Sequence, residues 1–305
     1  MHVAICIVGF RNPADIGHCL KALERATHAD FSVVICENGG IEAHAILTGQ
    51  LPERLAGGQP VEVIAAPGNL GYAGGVNVAM RASPTADAWW VLNPDAEPDE
   101  GALAALVARL SEGDAAGVGG TLYHADGRVQ GHGGRWRSWL ARAESIGNGD
   151  ALSDPPARAD VEARLDYLLG GSMMVDRRFV DAAGLMREDY FLYAEEIEWC
   201  LRARARGLKL GFAPAALVRH GQGSTTGSAV SIARRPRLPI YLDERNKLNV
   251  VRDTTPARLP VAIVGAFAML LLRFGRRGAW RPLGHGLAGW AAGIANRRGL
   301  PPWMR

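Results

Sequence analysis

An α/β protein, a Rossmann-like and mainly parallel sheet flanked by helices with a helical basic tail, follows from three features of the sequence. Apolar runs of strand length recur, helical periodicities separate them, and 38 Gly with 17 Pro supply many turns. With 305 residues, 48% hydrophobic and 21% charged, the chain can also bury a substantial core, which excludes a disordered or collagen-like protein.

The first run, residues 3–8, reads as a buried strand. Residues 15–26 follow with Ile16, Leu20 and Leu23 spaced by four and three, one face of a helix. Strands are then expected at 32–36, 61–65 and 89–92, with helices at 41–55 and 75–82 between them. Strand, helix, strand repeated implies right-handed crossovers and ligands beyond the carboxyl ends of the strands. Each strand is followed by a polar or Gly-rich segment: Gly9-Phe10-Arg11-Asn12-Pro13, Glu37-Asn38-Gly39-Gly40, residues 67–75, and Asn93-Pro94-Asp95-Ala96-Glu97. Any one of these could be a plain turn. Four on one sheet edge predict a cleft.

Further on, the pattern gives a helix at 99–110, a Gly-rich irregular stretch at 117–165 with an Asp126-Gly127 turn, and a strand at 167–175. That strand contains Gly170-Gly171, where a ligand or another backbone can approach closely. Helices are expected at 176–183, 194–206 and 238–252, and strands at 208–213 and 215–218. Gly207 is a natural stop for the second of these helices.

Charge divides unevenly. The net is +3, yet residues 254–305 hold eight arginines and no acid, leaving 26 basic against 31 acidic residues in the body. A nucleic-acid binder spreads basic surface through its fold, so that class is disfavoured, while the tail suits an anionic surface such as a membrane. The apolar run at 259–272 is 14 residues long and contains Pro260, short of the roughly 20 needed to span a bilayer. It reads either as a helix lying in the interface, Arg273, Arg276 and Arg277 on anionic headgroups beside Trp280 and Trp290, or as a core helix capping the domain. The four cysteines, Cys6, Cys19, Cys36 and Cys200, lack metal or redox spacing and read as reduced core residues. Residues 1–8 show no basic leader or cleavage site, and a cytoplasmic location is expected.

No P-loop, G-x-S-x-G elbow or H-E-x-x-H is present, and no G-x-G-x-x-G stands on the first strand. What remains is acidic. Asp95 and Glu97, two apart after a strand, can face one hard divalent cation, or can serve the turn into a helix start at Pro98-Asp99-Glu100. Glu195-Glu196-x-Glu198 opens a helix. Glu198 can simply pair with Arg202 one turn on, but adjacent Glu195 and Glu196 follow apolar Phe191-Leu192-Tyr193, where proximity and burial raise one carboxylate toward a general base's range. His220 after a strand, before Gly221-Gln222-Gly223-Ser224, fits a metal or phosphate contact, although a lone His is more often structural.

The order of these segments resembles the rhamnosyltransferase-like branch of glycosyltransferase family 2, which has the GT-A fold. The resemblance is carried by residues 7–12, Glu37-Asn38-Gly39, residues 69–77, Leu92-Asn93-Pro94-Asp95, residues 170–175, residues 191–202, Val218-Arg219-His220 and Arg245-Asn246. It implies an inverting transfer of a sugar, rhamnose or a related hexose, from a dTDP- or UDP-sugar to a hydroxyl of a glycan or lipid-linked acceptor, with Mg2+ or Mn2+. By position, Asp95, Glu97 and His220 would hold the metal, and Glu196 would be the base, with Glu195 and Glu198 beside it. Phe10, Arg11, Glu37, Asn38, Asn69, Gly71, Gly74, Asn77, Asn93 and Gly171 would line the nucleotide sugar, and Arg245 and Asn246 the acceptor or diphosphate. On this reading residues 1–100 form the donor half, 101–253 the acceptor and catalytic half, and 254–305 a tail that brings the protein to the inner membrane face. The alternatives are a non-catalytic sugar-nucleotide or glycan-binding module on the same fold, and a sugar nucleotidyltransferase, whose Gly-rich phosphate loop is missing after the first strand.

Overall fold

A computed structural model describes residues 1–221 and 234–304, so Gln222, Gly223 and Ser224 of the expected metal or phosphate loop lie outside the described residues. The first half runs β1 (Val3–Gly9), α1 (Pro13–Leu23), β2 (Phe31–Glu37), α2 (Ile41–Gln50), β3 (Val61–Ala65), α3 (Gly71–Ala82), β4 (Ala88–Leu92), β5 (Ala96–Pro98) and α4 (Ala102–Ser111). Then come β6 (Gly117–Tyr123), β7 (Val129–Gly131), β8 (Gly134–Arg137), β9 (Arg142–Ser145), α5 (Arg158–Glu162), β10 (Ser172–Asp176), α6 (Arg177–Ala183) and α7 (Glu195–Ala205). β11 (Leu210–His220), α8 (Arg237–Thr254), α9 (Leu259–Phe274) and α10 (Trp280–Ile294) complete the described chain.

Eight strands form one path, β3-β2-β1-β4-β10-β6-β11-β5, with β7 added on β6. The first four are parallel, Val3 opposite both Phe31 and Ala88, and this is the Rossmann-like half the sequence predicts. Beyond β4 the sheet is mixed: β10 runs antiparallel to β4 and β6, β11 parallel to β6, and β5 antiparallel to β11. Only three residues join β4 to β5, yet β5 is the far edge strand, so the sheet curls until its last strand meets the tip of β4. The irregularity between Phe212 and Leu217 of β11 is where that curl is taken up.

Strand alternation builds the core on both faces. Val3, Ile5 and Ile7 of β1 pack with Ile16, Leu20 and Leu23 of α1 and Leu103 and Leu106 of α4, while Ala4, Cys6 and Val8 pack with Val76, Met80 and the α7 residue Trp199. All four cysteines are free and buried, as expected, and burial pushes the Cys36 thiol up to about 11.

The strand expected at 167–175 is shorter, Ser172–Asp176, and leaves Gly170-Gly171 in the turn before it, while those expected at 208–213 and 215–218 are the single strand β11. Two further stretches differ from expectation. The Gly-rich run at 71–75 is not a loop but the first turn of α3, because its missing side chains let the helix lie directly on the sheet; a Cβ on Gly75 would stand 2.7 Å from Val8 Cγ1. Residues 117–165 are not irregular but contain β6 to β9 and α5. Glycines mask the alternation there: β6 carries Gly119 and Gly120, and a Cβ on Gly120 would come 2.0 Å from the carbonyl of Ala216.

The tail caps the fold in part. α10 lies on α8 through Gly289 and Gly293, whose added Cβ atoms would stand 2.3 Å and 2.8 Å from the carbonyl oxygens of Tyr241 and Arg245. The chain then turns so that the Gly299 carbonyl accepts from Arg245 Nη1 at 2.6 Å. The apolar run expected to be too short for a membrane belongs to a longer helical stretch, Pro256–Arg277, of 22 residues, which is long and apolar enough to cross one.

Candidate active site

The curl of the sheet sets the end of β11 against the turn after β4. His220 Nε2 stands 3.3 Å from Asp95 Oδ1 and 2.9 Å from Asn93 Nδ2. Gln130 fixes the imidazole: its Nε2 donates to the His220 carbonyl at 2.7 Å, which turns its Oε1 toward His220 Nδ1 at 2.9 Å. Nδ1 therefore carries the proton and Nε2 presents a lone pair on the side of Asp95, the arrangement typical of a metal-ligating histidine held by a carbonyl oxygen. Nε2 here meets the Asn93 Nδ2 N–H, and Asp95 Oδ1 beside it at 3.3 Å lets nitrogen and carboxylate converge on one cation that takes the place of that N–H. The pair thus fits a divalent metal, whose further oxygen ligands a diphosphate and water can supply.

The three-ligand centre expected from sequence is corrected. Glu97 is hydrogen-bonded to Arg219, its cross-strand partner, and among the described residues no three His, Cys, Asp or Glu side chains gather as a metal set. A cleft of about 470 Å³ opens on Asp95 and His220, walled also by Asp15, His18, His124 and Arg219.

The acidic helix start is built differently. Three non-glycine residues in the turn before α7, Phe191, Tyr193 and Ala194, have φ near +70°. Such conformations cost of order 1 kcal/mol or more each and persist only when the surroundings fix them. Asn246 does the fixing: its Nδ2 lies 3.0, 2.9 and 2.8 Å from the carbonyls of Tyr190, Leu192 and Tyr193. Arg245 adds Nη2 to the Tyr190 carbonyl at 3.0 Å and Nε to Asn246 Oδ1 at 2.9 Å. Both residues are fully buried. Their expected contact with acceptor or diphosphate is therefore corrected to a brace on this turn.

Two of the three acids it presents differ sharply from the third. Glu198 is buried and bound by Arg202 through both carboxylate oxygens at 2.8 and 3.0 Å, so it braces α7 to the Ala183–Leu185 backbone and is not available as a base. Glu195 is 2% exposed, and its Oε2 has no hydrogen-bond partner among the described residues. Burial, with the charge of Glu196 beside it, holds Glu195 well above the usual carboxylate range, which keeps it neutral. Glu196 is half-buried, and burial chiefly, with the charge of Asp243 adding and backbone N–H groups at the helix start opposing, pushes it up to about 7. A carboxylate titrating there is matched to proton abstraction at neutral pH.

The two ends meet across Gly170-Gly171. A Cβ on Gly170 would touch Glu196 Cγ at 3.4 Å, and one on Gly171 would touch His220 Nε2 at 3.4 Å. Tyr72, on the first turn of α3, spans the same gap: its hydroxyl lies 2.7 Å from the Gly170 carbonyl and 2.9 Å from Asn93 Oδ1. Burial chiefly, with the acidic neighbours Glu196 and Asp95 adding to it, raises the Tyr72 hydroxyl well above its ordinary range, so it remains a donor. Asn93 and Gly171, expected along the nucleotide, stand instead at this junction; Asn93 N donates to the Gly171 carbonyl at 3.0 Å. Tyr72 and Gln130 were not singled out by sequence. Tyr72 sits within the Gly-rich segment, but Gln130 lies where the pattern reads as irregular and carries no signal.

The other expected donor-site residues separate. Phe10 is exposed, with Arg11 over its ring at 5.7 Å. Glu37 is buried, and its Oε1 accepts from the backbone N–H of Gly39 at 2.6 Å and Arg11 at 3.1 Å, tying the turns after β1 and β2 together. Asn38 is buried and donates to the Gly71 carbonyl at 2.8 Å, and Asn69 Oδ1 accepts from Gly71 N at 3.0 Å, fixing the start of α3. Gly71 has φ +72° and leaves no room for a Cβ, which would stand 2.0 Å from the Phe191 carbonyl, so this turn and the acidic turn are pressed together. Gly74 is buried against Leu70. Asn77 is a correction: it is buried and bonded to Met186 N and O and to Glu188 Oε1, anchoring α3 to the segment before the acidic turn and lining no nucleotide.

A GT-A arrangement, a parallel half continued by a mixed half that curls over the strand-four tip, is the class of fold these elements define. Residues 4–152, just under half of the chain, match the family model described as glycosyl transferase family 2. A curated relative is the low-salt glycan biosynthesis hexosyltransferase Agl10 of Haloferax volcanii, 27% identical over 183 residues, which are 59% of this chain and 56% of the relative. The matched region thus spans little more than half the relative's length. Among solved structures, the mannosyltransferase PcManGT from Pyrobaculum calidifontis in complex with GDP-Man and Mn2+ matches with a TM-score of 0.57 at 15% identity, over 99% of this chain and 76% of that one. S. aureus TarS 1-349 in complex with UDP matches with a TM-score of 0.52 at 12% identity, over 87% of this chain and 70% of that one. These likenesses establish the GT-A fold.

Proposed function

We propose that this protein is an inverting glycosyltransferase that moves a hexosyl or deoxyhexosyl group, rhamnose included, from a nucleoside-diphosphate sugar to an acceptor hydroxyl. The observation that carries the reading is the juxtaposition across Gly170-Gly171 of a cation-fitting pair, Asp95 and His220, and a base-range carboxylate, Glu196. The hexosyltransferase relative, and neighbours bound to GDP-Man with Mn2+ or to UDP, support the same chemistry.

Asp95 and His220 would hold Mg2+ or Mn2+, which offsets charge on the departing diphosphate when bound. Glu196 takes the acceptor proton as that oxygen attacks the anomeric carbon from the side opposite the leaving group, and no covalent enzyme intermediate is needed. Glu195, neutral and buried, adds no second charge to oppose the first. Tyr72 orients Asn93 and the Gly170 carbonyl between the two ends.

Glu196→Gln tests the assignment. Sugar transfer is expected to fall by about 10²–10⁴-fold, the usual contribution of a positioned base, while donor binding and melting temperature stay near those of the parent. A wild-type rate in Glu196→Gln refutes the base, and nucleotide-sugar binding without product across a donor and acceptor panel would favour the non-catalytic module.

A further inference from the structure

α9 is amphipathic in an unusual sense: one flank is committed to the protein and the other is a bare apolar ridge. Ala262, Ala266, Leu270 and Phe274 are buried against the body, the last two beside Ile240 and Leu283. Val261, Val264, Phe267, Leu271 and Leu272 are exposed, Val264 by 68%. From Val261 to Leu272 the ridge is roughly 17 Å long at 1.5 Å per residue.

Both ends of the ridge carry the same chemistry. At the start, Arg258 stacks on Trp139, which is 52% exposed. At the end stand exposed Arg276 and Arg277, followed by Trp280 at 70% and exposed Arg281. Indole rings flanking an apolar strip, with arginines beyond, match a surface whose middle is hydrocarbon and whose margin is polar and anionic.

We infer that this face docks on an anionic lipid bilayer, α9 lying in the interface and not crossing it. Crossing would strip the buried flank from the fold and break Arg273 from Asp243 and Glu244, which it meets at 3.1 and 3.3 Å. That ion pair also corrects the expectation that Arg273 faces headgroups. Trp290 is likewise turned inward, donating to the Ile263 carbonyl at 2.9 Å, so the membrane-facing indoles are Trp139 and Trp280. A second copy of the chain fits the face less well, because a two-fold contact would set arginines against arginines and residues 254–305 hold no acid to meet them.

Co-sedimentation of the full chain with vesicles tests this without reference to sugar transfer. Binding is expected to mixed phosphatidylcholine and phosphatidylglycerol vesicles, to weaken with salt, and to be far weaker to phosphatidylcholine alone. Reversing Arg276 and Arg277 to Glu should lower it by at least about fivefold per arginine. Val264→Ser with Leu271→Ser, both at exposed positions, should lower it at all salt concentrations with an unchanged melting temperature. Equal pelleting with and without anionic lipid, or indifference to both variants, overturns the inference. So does a concentration-dependent dimer in ultracentrifugation that Val264→Ser with Leu271→Ser dissolves, since the face would then belong to a second copy.

Discussion

The two ends of the candidate site are held by opposite means. Asp95 and His220 are brought together by strand register: β11 pairs with β5, and β5 follows β4 after three residues, so regular hydrogen bonding delivers the imidazole to the carboxylate. Glu195 and Glu196 are delivered by a turn that regular structure disfavours, with three residues in the left-handed region pinned by one buried amide. The first arrangement is stable in itself and needs only its ring oriented. The second stores strain and depends on a residue 50 positions further along the chain.

That contrast can be broken from either side. The largest effect is expected for Asn246→Ala, which takes the Asn246 donor from the Leu192 and Tyr193 carbonyls; unfolding free energy should drop by about 3 kcal/mol, the cost of leaving two acceptors of the turn unpaired. Because the turn also sets Glu196, kcat should fall further than KM rises, and Asn246→Ala should lose the pH dependence described below. A stability loss with kcat and pH profile intact would show that Asn246 braces the fold but not the base. At the other end, Gln130→Leu removes the acceptor for His220 Nδ1 and frees the wrong tautomer; affinity for Mn2+, followed by calorimetry, should weaken about 10–100-fold with little change in melting temperature.

A smaller and graded effect concerns pH. The proposed base, Glu196, can take a proton only when ionised, so below about 7 the rate should fall roughly tenfold per pH unit, and above about 7 it should level off. For stability the sign is opposite: a carboxyl whose folded value lies above its unfolded value of 4.5 favours the folded state when protonated, and that contribution is lost as pH rises from about 4.5 through about 7. Activity and melting temperature should therefore move in opposite directions across this window. Parallel movement would show that Glu196 does not control the rate.

Much of the parallel half of the sheet was legible because its elements follow periodic rules. β1 to β4 alternate or run apolar, and α1 shows a spacing of three and four. Beyond residue 116, glycine at close backbone crossings erased the alternation of β6, and Gln130 consequently fell in a stretch with no readable role. The candidate site was legible as a set of segments and less so as a set of roles. Glu37, Asn77, Arg245 and Asn246 are polar residues in the segments that carry the family resemblance, and sequence gives no way to tell a polar side chain facing a ligand from one facing a buried carbonyl. In the folded chain each of the four makes its polar contacts within the protein, as buried polar groups generally must. Glu198 shows the reverse: its pairing with Arg202 one helical turn away was readable from spacing alone.

The contact between the Gly299 carbonyl and Arg245 gives the last few residues leverage over chemistry some distance away. Arg245 donates its Nε hydrogen to Asn246, and Asn246 fastens the bend that presents Glu195 and Glu196. Trimming this protein at Arg298 to improve its handling would thus unlatch a relay of three links, and an apparently dispensable end would govern how sharply the candidate site is aligned.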